Sequence, residues 1–228
     1  MDKKILITKD GPYEVQGDIP LQISSTVIDE EGTSLKWQAG KNYPQDNQSY
    51  FLCRCGHSKN KPFCDGSHIK AKFNGQETAT YQSDTKNTAY YKGPQIDLVD
   101  EKSLCASLRF CHRAATVWGA VEESDKPENK ELAIEEACDC ASGRLTILQK
   151  DGTPIDPKLN QEISLVEDTA AGCRGPLWVK GGIPIESVNG QIYKVRNRVT
   201  LCRCGESNNK PFCDGQHLES QNMQGFDS

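Results

Sequence analysis

The segment CRCGHSKNKPFCDGSH at 53–68 returns as CRCGESNNKPFCDGQH at 202–217, and this duplication constrains the fold more than any other feature of the 228-residue chain. In each copy a Cys-x-Cys pair is followed nine residues later by a third cysteine, and four residues after that by a histidine. The likeness continues upstream, where GPYEVQGDIPLQ at 11–22 aligns with GPLWVKGGIPIE at 175–186. Each copy then reaches its first cysteine through apolar residues, Phe51-Leu52 in one and Leu201 in the other. Self-similarity of this kind marks one structural unit used twice. The units run over 1–80 and 174–228, and 81–173 is an insert with a cysteine pattern of its own.

The 11 cysteines fall at 53–64, 105–173 and 202–213, and an odd number cannot be fully paired as disulfides. Side chains two residues apart lie on the same side of an extended backbone, so Cys53 with Cys55, and Cys202 with Cys204, can each serve one metal. Positions i and i+4 share a helical face, which aims Cys64 and His68 at one centre and Cys213 and His217 at another. Asp65-Gly66 and Asp214-Gly215 supply a turn and an Asp placed to cap a short helix. Three thiolates and an imidazole suit either a tetrahedral structural zinc or a binuclear iron-sulfur cluster with one histidine-ligated iron. Cys-x-Cys is less typical of zinc knuckles than Cys-x2-Cys, which favours the cluster modestly. Buried free thiols behaving as small hydrophobes are the plain alternative, and an intact four-residue set occurring twice argues against it.

Lys and Arg number 27 against 32 Asp and Glu, a net charge of −5, so no broad basic surface for nucleic acid is indicated. No apolar run approaches the ~18 residues of a membrane span. The start, MDKKILITKDGPYEV, has a three-residue apolar run at Ile5–Ile7, against the ~7–15 that a signal peptide needs. A cytoplasmic chain is expected, and in that compartment abundant cysteine points to metal rather than to disulfides. No P-loop, dinucleotide fingerprint or HExxH sequence occurs, so enzymatic activity is left open and a non-enzymatic role is favoured.

On these residues the chain resembles the CDGSH iron-sulfur proteins, whose pattern is C-x-C-x2-S/T-x3-P-x-C-D-G-S/A/T-H. The first copy fulfils it at Cys53, Cys55, Ser58, Pro62, Cys64, Asp65, Gly66, Ser67 and His68, and the second at Cys202, Cys204, Ser207, Pro211, Cys213, Asp214, Gly215 and His217. Gln216 departs from it, where the family carries a small residue. The resemblance implies one 2Fe-2S cluster per motif, with two cysteines on the inner iron and a cysteine plus a solvent-exposed histidine on the outer one. It covers a little over half of the chain.

In the insert, Thr88–Lys92 reads as a strand, EKSLCASLRFCHRAATVWGAV at 101–121 as a helix, and Pro127–Cys138 as a second helix capped by Asp125. Residues 144–149 and 163–166 read as strands, Asp151-Gly152 as a turn, and Asn189-Gly190 as the turn of a hairpin in the second unit. This stretch resembles the divergent 4Fe-4S mono-cluster ferredoxin-like domain. Cys105 and Cys111 match its C-x5-C, and CASG at 140–143 matches its Cys-Pro-x-Gly with Ala141 in place of the proline. Leu108 stands where a full ferredoxin has a further cysteine. Cys138 and Cys173 are candidates to complete four ligands beside Cys105, Cys111 and Cys140, and His112 is another.

The expected fold is α+β: two mainly-β CDGSH modules paired as an intramolecular pseudo-dimer, with a ferredoxin-like α/β insert. The expected cofactors are two 2Fe-2S clusters, with one further iron-sulfur cluster in the insert as a candidate. The expected role is electron transfer or redox sensing, the alternative being a carrier that donates clusters. The partner is then a redox protein or an apo iron-sulfur acceptor, and the chain a monomer without a membrane span. A zinc-stabilised scaffold is the third reading.

Overall fold

The computed structural model describes residues 2–44, 49–83 and 85–227. The first repeat forms β1 (Lys4–Ile7), β2 (Tyr13–Gln16), β3 (Leu21–Ile28), β4 (Ser34–Tyr43) and β5 (Ser49–Leu52), then a single turn of helix, α1 (Ser67–Lys70). The insert contributes β6 (Thr88–Lys92), β7 (Ile96–Glu101), α2 (Thr116–Glu122), α3 (Pro127–Asp139), β8 (Leu145–Gln149) and β9 (Pro154–Ile155). Strands β10 (Glu162–Asp168), β11 (Cys173–Lys180), β12 (Ile185–Glu186) and β13 (Arg198–Leu201) complete the chain's sheets. The architecture is α+β, and no helix of the described residues is long and apolar enough to cross a membrane.

Two sheets carry the repeats, and each takes strands from both. One runs β12-β1-β2-β5 and the other β13-β11-β10-β3-β4. Strand β1 lies antiparallel to β2 and parallel to β12, with Ile5 opposite Ile185. Likewise β10 lies antiparallel to β11 and parallel to β3, with Ile163 opposite Leu21. Leu21 and Ile185 occupy the same position in the upstream repeat, so the matching strand of each copy sits in the other copy's sheet. Alternation explains the packing: Tyr13 and Val15 of β2 are buried while Glu14 and Gln16 are less so. Ile5, Val15, Leu21, Ile163, Val179 and Ile185 belong to one apolar core. Each such side chain contributes roughly 1.5–3 kcal/mol on burial.

The insert forms a third, antiparallel sheet, β6-β7-β8-β9, with α2 and α3 packed on it through Leu98, Ile147, Val117 and Ala133. The strand expected at 163–166 extends over Glu162–Asp168 and joins the sheet of the second repeat. Two local expectations need correction. Residues 101–121 are not one helix: 3-10 turns at Lys102–Leu104 and Phe110–His112 precede α2, and Ser107, Arg109, Ala114 and Thr116 have positive φ. Burial decides this, because Ala106, Leu108 and Phe110 pack with Val166 and Trp178, a spacing of two that an extended segment satisfies and a helix does not. Helix α3 begins at Pro127 with Lys126 at the N-cap and no side-chain cap, so Asp125 does not cap it. Pro127 needs less capping because it lacks one of the orphaned N–H groups.

Candidate metal centres

The two repeated loops have the same internal bonding. In the first, Ser58 Oγ donates to Phe63 O at 2.6 Å and accepts from Asn60 N at 3.1 Å. In the second, Ser207 Oγ donates to Phe212 O at 2.7 Å and accepts from Asn209 N at 3.0 Å. Asp65 accepts from the N–H groups of Lys59 and Ser67, and Asp214 from those of Asn208 and Gln216. These carboxylates therefore bind loop backbone and are not placed as acids. Lys61 and Lys210 donate to Ser58 O and Ser207 O, so neither lysine is directed at a histidine. The Lys61–Pro62 and Lys210–Pro211 peptides are both cis.

Each loop brings its predicted ligands together in pairs. Cys53 and Cys55 Sγ lie 3.8 Å apart and Cys202 and Cys204 Sγ 3.5 Å apart. Cys64 Sγ is 3.4 Å from His68 Nδ1, and Cys213 Sγ is 3.5 Å from His217 Nδ1. Two sulfurs bound to one tetrahedral metal at ~2.3 Å stand about 3.8 Å apart, and a sulfur with a ring nitrogen about 3.6 Å apart. Every pair is thus spaced to share one metal. Among the described residues no three Cys, His, Asp or Glu side chains converge on a single ion position. Two irons, each taking two protein ligands, fit this arrangement, whereas one zinc requires all four at one point.

The electrostatics of each inner pair favour one thiolate and push the partner that donates to it, Cys55 or Cys204, up. Cys53 is lowered to about 6, chiefly by the hydrogen bond from Cys55, with the Ser58, Gly56 and Cys55 backbone N–H groups adding to it against the cost of burial. Cys202 is lowered to about 6 by Cys204 and by the N–H groups of Ser207, Gly205 and Cys204. The thiolate is the metal-binding form. Between the paired cysteines, Arg54 and Arg203 point the opposite way and are buried: Arg54 donates to Gly75 O and Thr8 O, and Arg203 to Gly175 O and Val166 O. Their recurrence in Cys-Arg-Cys was the visible signal for this anchor.

The sites differ in exposure. Cys64 and His68 are partly exposed, while Cys213 is 2% and His217 1% exposed. Burial lowers His217 to about 4 and keeps its ring neutral, as a ligand requires. The two loops also meet: a Cβ on Gly56 would lie 2.6 Å from Cys204 O, and one on Gly205 would lie 2.7 Å from Cys55 O.

In the insert, Cys105, Cys111 and Cys140 line one cavity of about 320 Å³, together with His112, Arg144 and Leu218 of the second repeat. Arg144 Nη1 donates to Cys105 Sγ at 3.0 Å, and its Nε and Nη2 grip Asp100 at 2.5 and 2.8 Å. Burial, then the Cys140 charge, pushes Cys111 up to about 12. Three thiols and a guanidinium around a cavity suit an anionic iron-sulfur cluster. Cys138 is not on the wall and lies near the charges of Arg198, Asp156 and Asp139. Cys173 is buried on β11 near Asp168, Arg109 and Arg203, also away from the cavity. His57 is exposed with Glu206 in its place in the second copy. Arg144 and Asp100 had no motif to announce them.

The family model described as iron-binding zinc finger CDGSH type matches residues 10–69 and 174–218, and the one described as divergent 4Fe-4S mono-cluster matches 91–150. A search of curated proteins found no match.

Proposed function

We propose that this chain, an iron-sulfur protein in which two CDGSH-type iron-binding domains flank a divergent 4Fe-4S mono-cluster domain, holds a 2Fe-2S cluster in each CDGSH motif and works in electron transfer or redox sensing. The observation that carries the reading is the division of each ligand set into two pairs, each spaced for one metal. Cys53 and Cys55 would hold the inner iron of the first site and Cys64 with His68 the outer. Cys202 with Cys204, and Cys213 with His217, would do the same in the second. Such a cluster supplies reversible one-electron chemistry, and one imidazole in place of a thiolate raises its potential. The chain's own part is to favour one thiolate in each inner pair, Cys53 and Cys202, through the hydrogen bonds from Cys55 and Cys204 and then from backbone N–H groups, and to keep His217 neutral by burial; the remaining cysteines are pushed up and give up their protons on binding metal. In the insert, Cys105, Cys111 and Cys140 would hold the further cluster, with Arg144 orienting the Cys105 sulfur. Eleven free cysteines suit a reducing compartment such as the cytoplasm.

The exchange of β3 and β12 between sheets, and the reciprocal approach of Gly56 and Gly205, support pairing of the two modules about an internal pseudo-twofold axis. Counting β10 with the second module extends that module back to Glu162. Donation of clusters to an apo-acceptor uses the same ligands and remains the second reading, favoured by the partial exposure of His68.

Protein purified after iron-replete expression should be red-brown, with iron and acid-labile sulfide matching one 2Fe-2S cluster in each CDGSH motif in addition to the insert's iron. Colourless protein with stoichiometric zinc and no sulfide would defeat the reading. Replacing His68 by Cys should lower the potential of the first site by on the order of 100 mV or more, because a thiolate adds negative charge. Redox titration followed by electron paramagnetic resonance checks this, and an unchanged potential would remove His68 from the ligand set.

A further inference from the structure

The repeated loops begin as near-copies, yet their surroundings are opposite. Around the second loop the insert has closed in. A Cβ on Gly215 would lie 2.6 Å from Ser107 Oγ, Cys213 packs with Ala106, Leu108 and Phe110, and Asn209 Nδ2 donates to Ser103 O at 2.8 Å. Leu218, next to His217, forms part of the insert cavity. The equivalent glycine of the first loop, Gly66, has nothing within 4 Å of its Cβ position. The segment 103–110 therefore covers the Cys213–Gly215 end of the second site, whose Cys202 and Cys204 pack with Met223.

The open loop also carries charge that its copy lacks. Lys59, Lys70 and Lys72 are exposed, and their counterparts in the second copy are Asn208, Glu219 and Gln221. His57, also exposed, is matched by Glu206. Asp65 is the acidic side chain within this stretch, and both its oxygens are engaged by the loop's own N–H groups. Beside Lys70 stands an exposed apolar side chain, Ile69 at 73%. On a chain of net charge −5, a local basic rim around an apolar centre is the anatomy of a protein docking face.

Resting on the iron-sulfur reading above, we propose that the two CDGSH sites have divided roles: the first exchanges electrons or clusters with an acidic protein surface docked on Lys59, Lys70 and Lys72, and the second is closed to outside partners by the insert. A complementary acidic partner is steered to the first site, so its association is fast at low salt and slows as salt screens the lysines. Solvent and small reagents reach the second site only when the 103–110 segment opens.

The full-length, cluster-loaded protein is mixed with the neutral chelator 2,2′-bipyridine, and loss of the cluster absorbance is followed. Two phases assigned to the CDGSH sites are expected, differing in rate by about tenfold or more. Leu108→Ala should accelerate the slow phase and leave the fast one unchanged. Association with a strongly acidic ferredoxin, followed by stopped flow, should fall by about tenfold or more in the Lys59→Glu/Lys70→Glu/Lys72→Glu variant and lose its salt dependence. That variant should keep both chelation phases, which reports its sites intact, and a Lys→Gln series at the same positions preserves the measurement should the reversal not fold. A single phase from fully loaded protein, or a slow phase indifferent to Leu108→Ala, overturns the seal. Wild-type protein that does not associate with the acidic probe, or a charge-reversed variant that associates at the wild-type rate, overturns the docking face. Protein without iron and sulfide in these motifs would instead defeat the parent reading, an outcome that the initial metal analysis distinguishes.

Discussion

Gly56→Ala is expected to release iron from both CDGSH motifs, although the substitution lies in only one of them. Gly56 has φ 79°, and the added methyl would stand 2.6 Å from Cys204 O and 3.1 Å from its carbonyl carbon. These are backbone atoms of Cys204 itself, a proposed inner ligand of the other motif, so neither loop can yield without moving a cysteine. Left-handed backbone strain adds ~1–2 kcal/mol and overpacking ~1–3 kcal/mol, for a total of roughly 2–5 kcal/mol. At about 2–4 °C per kcal/mol in a chain of this size, the melting temperature should fall by on the order of 5–20 °C. Gly152→Ala is the control, since Gly152 has φ 87° and nothing within 4 Å, so it carries the strain without the contact. Calorimetry with iron analysis reads both variants. Loss confined to the first motif in Gly56→Ala would mean that the modules are independent.

Arg198→Met should be nearly as damaging. Arg198 lies on β13 of the second repeat, 2% exposed, and its Nε donates to Cys140 O at 2.9 Å. Nη2 donates to Ala137 O at 2.8 Å and Leu145 O at 3.0 Å, and Nη1 pairs with Asp156. One guanidinium thus closes the C-terminus of α3, the start of β8 and the turn that carries Cys140, where a cation also complements the helix dipole. Removing it strands three backbone carbonyls at once, a loss of about 2–4 kcal/mol given roughly 1–3 kcal/mol for each buried unsatisfied acceptor. Thermal unfolding should shift down, and the insert's iron should be lost before that of the CDGSH motifs. Arg198→Lys should rescue little, because an ammonium cannot span the same fork. Unchanged melting and full iron content in Arg198→Met would show that the insert does not depend on this anchor.

The eight motif residues were legible because their chemistry is local: the spacing that names Cys53, Cys55, Cys64 and His68 is also the spacing that brings them together. The strand at 144–149 was legible from its own residues, as at Leu145 and Ile147. The pairing of strands between the repeats was not, because nothing near Leu21 records that it pairs with Ile163. The 101–121 segment misled through helix-forming composition, while Ala106, Leu108 and Phe110 already carried the spacing of two that the buried, extended path obeys. Cys140 was legible from CASG at 140–143 and Cys138 stood only as a candidate beside it; α3 ends at Asp139, and Cys140 lines the cavity while Cys138 does not. Arg144 and Asp100 converge across a sheet, and their pairing is a property of register that no short motif encodes.

Strand exchange also sets an order of events during synthesis. Ser24 and Ser164, 140 residues apart, meet through their hydroxyls at 2.9 Å across the β3–β10 junction. When the first repeat leaves the ribosome, β1 lacks β12 and β3 lacks β10, so both present unpaired edges, and the first loop lacks the carbonyl on which Gly56 rests. Such edges invite pairing with other nascent chains until the C-terminal repeat arrives. Contacts this distant in sequence also close slowly. Maturation is therefore a property of the finished polypeptide: the half made first waits for the half made last before it can close around its metal.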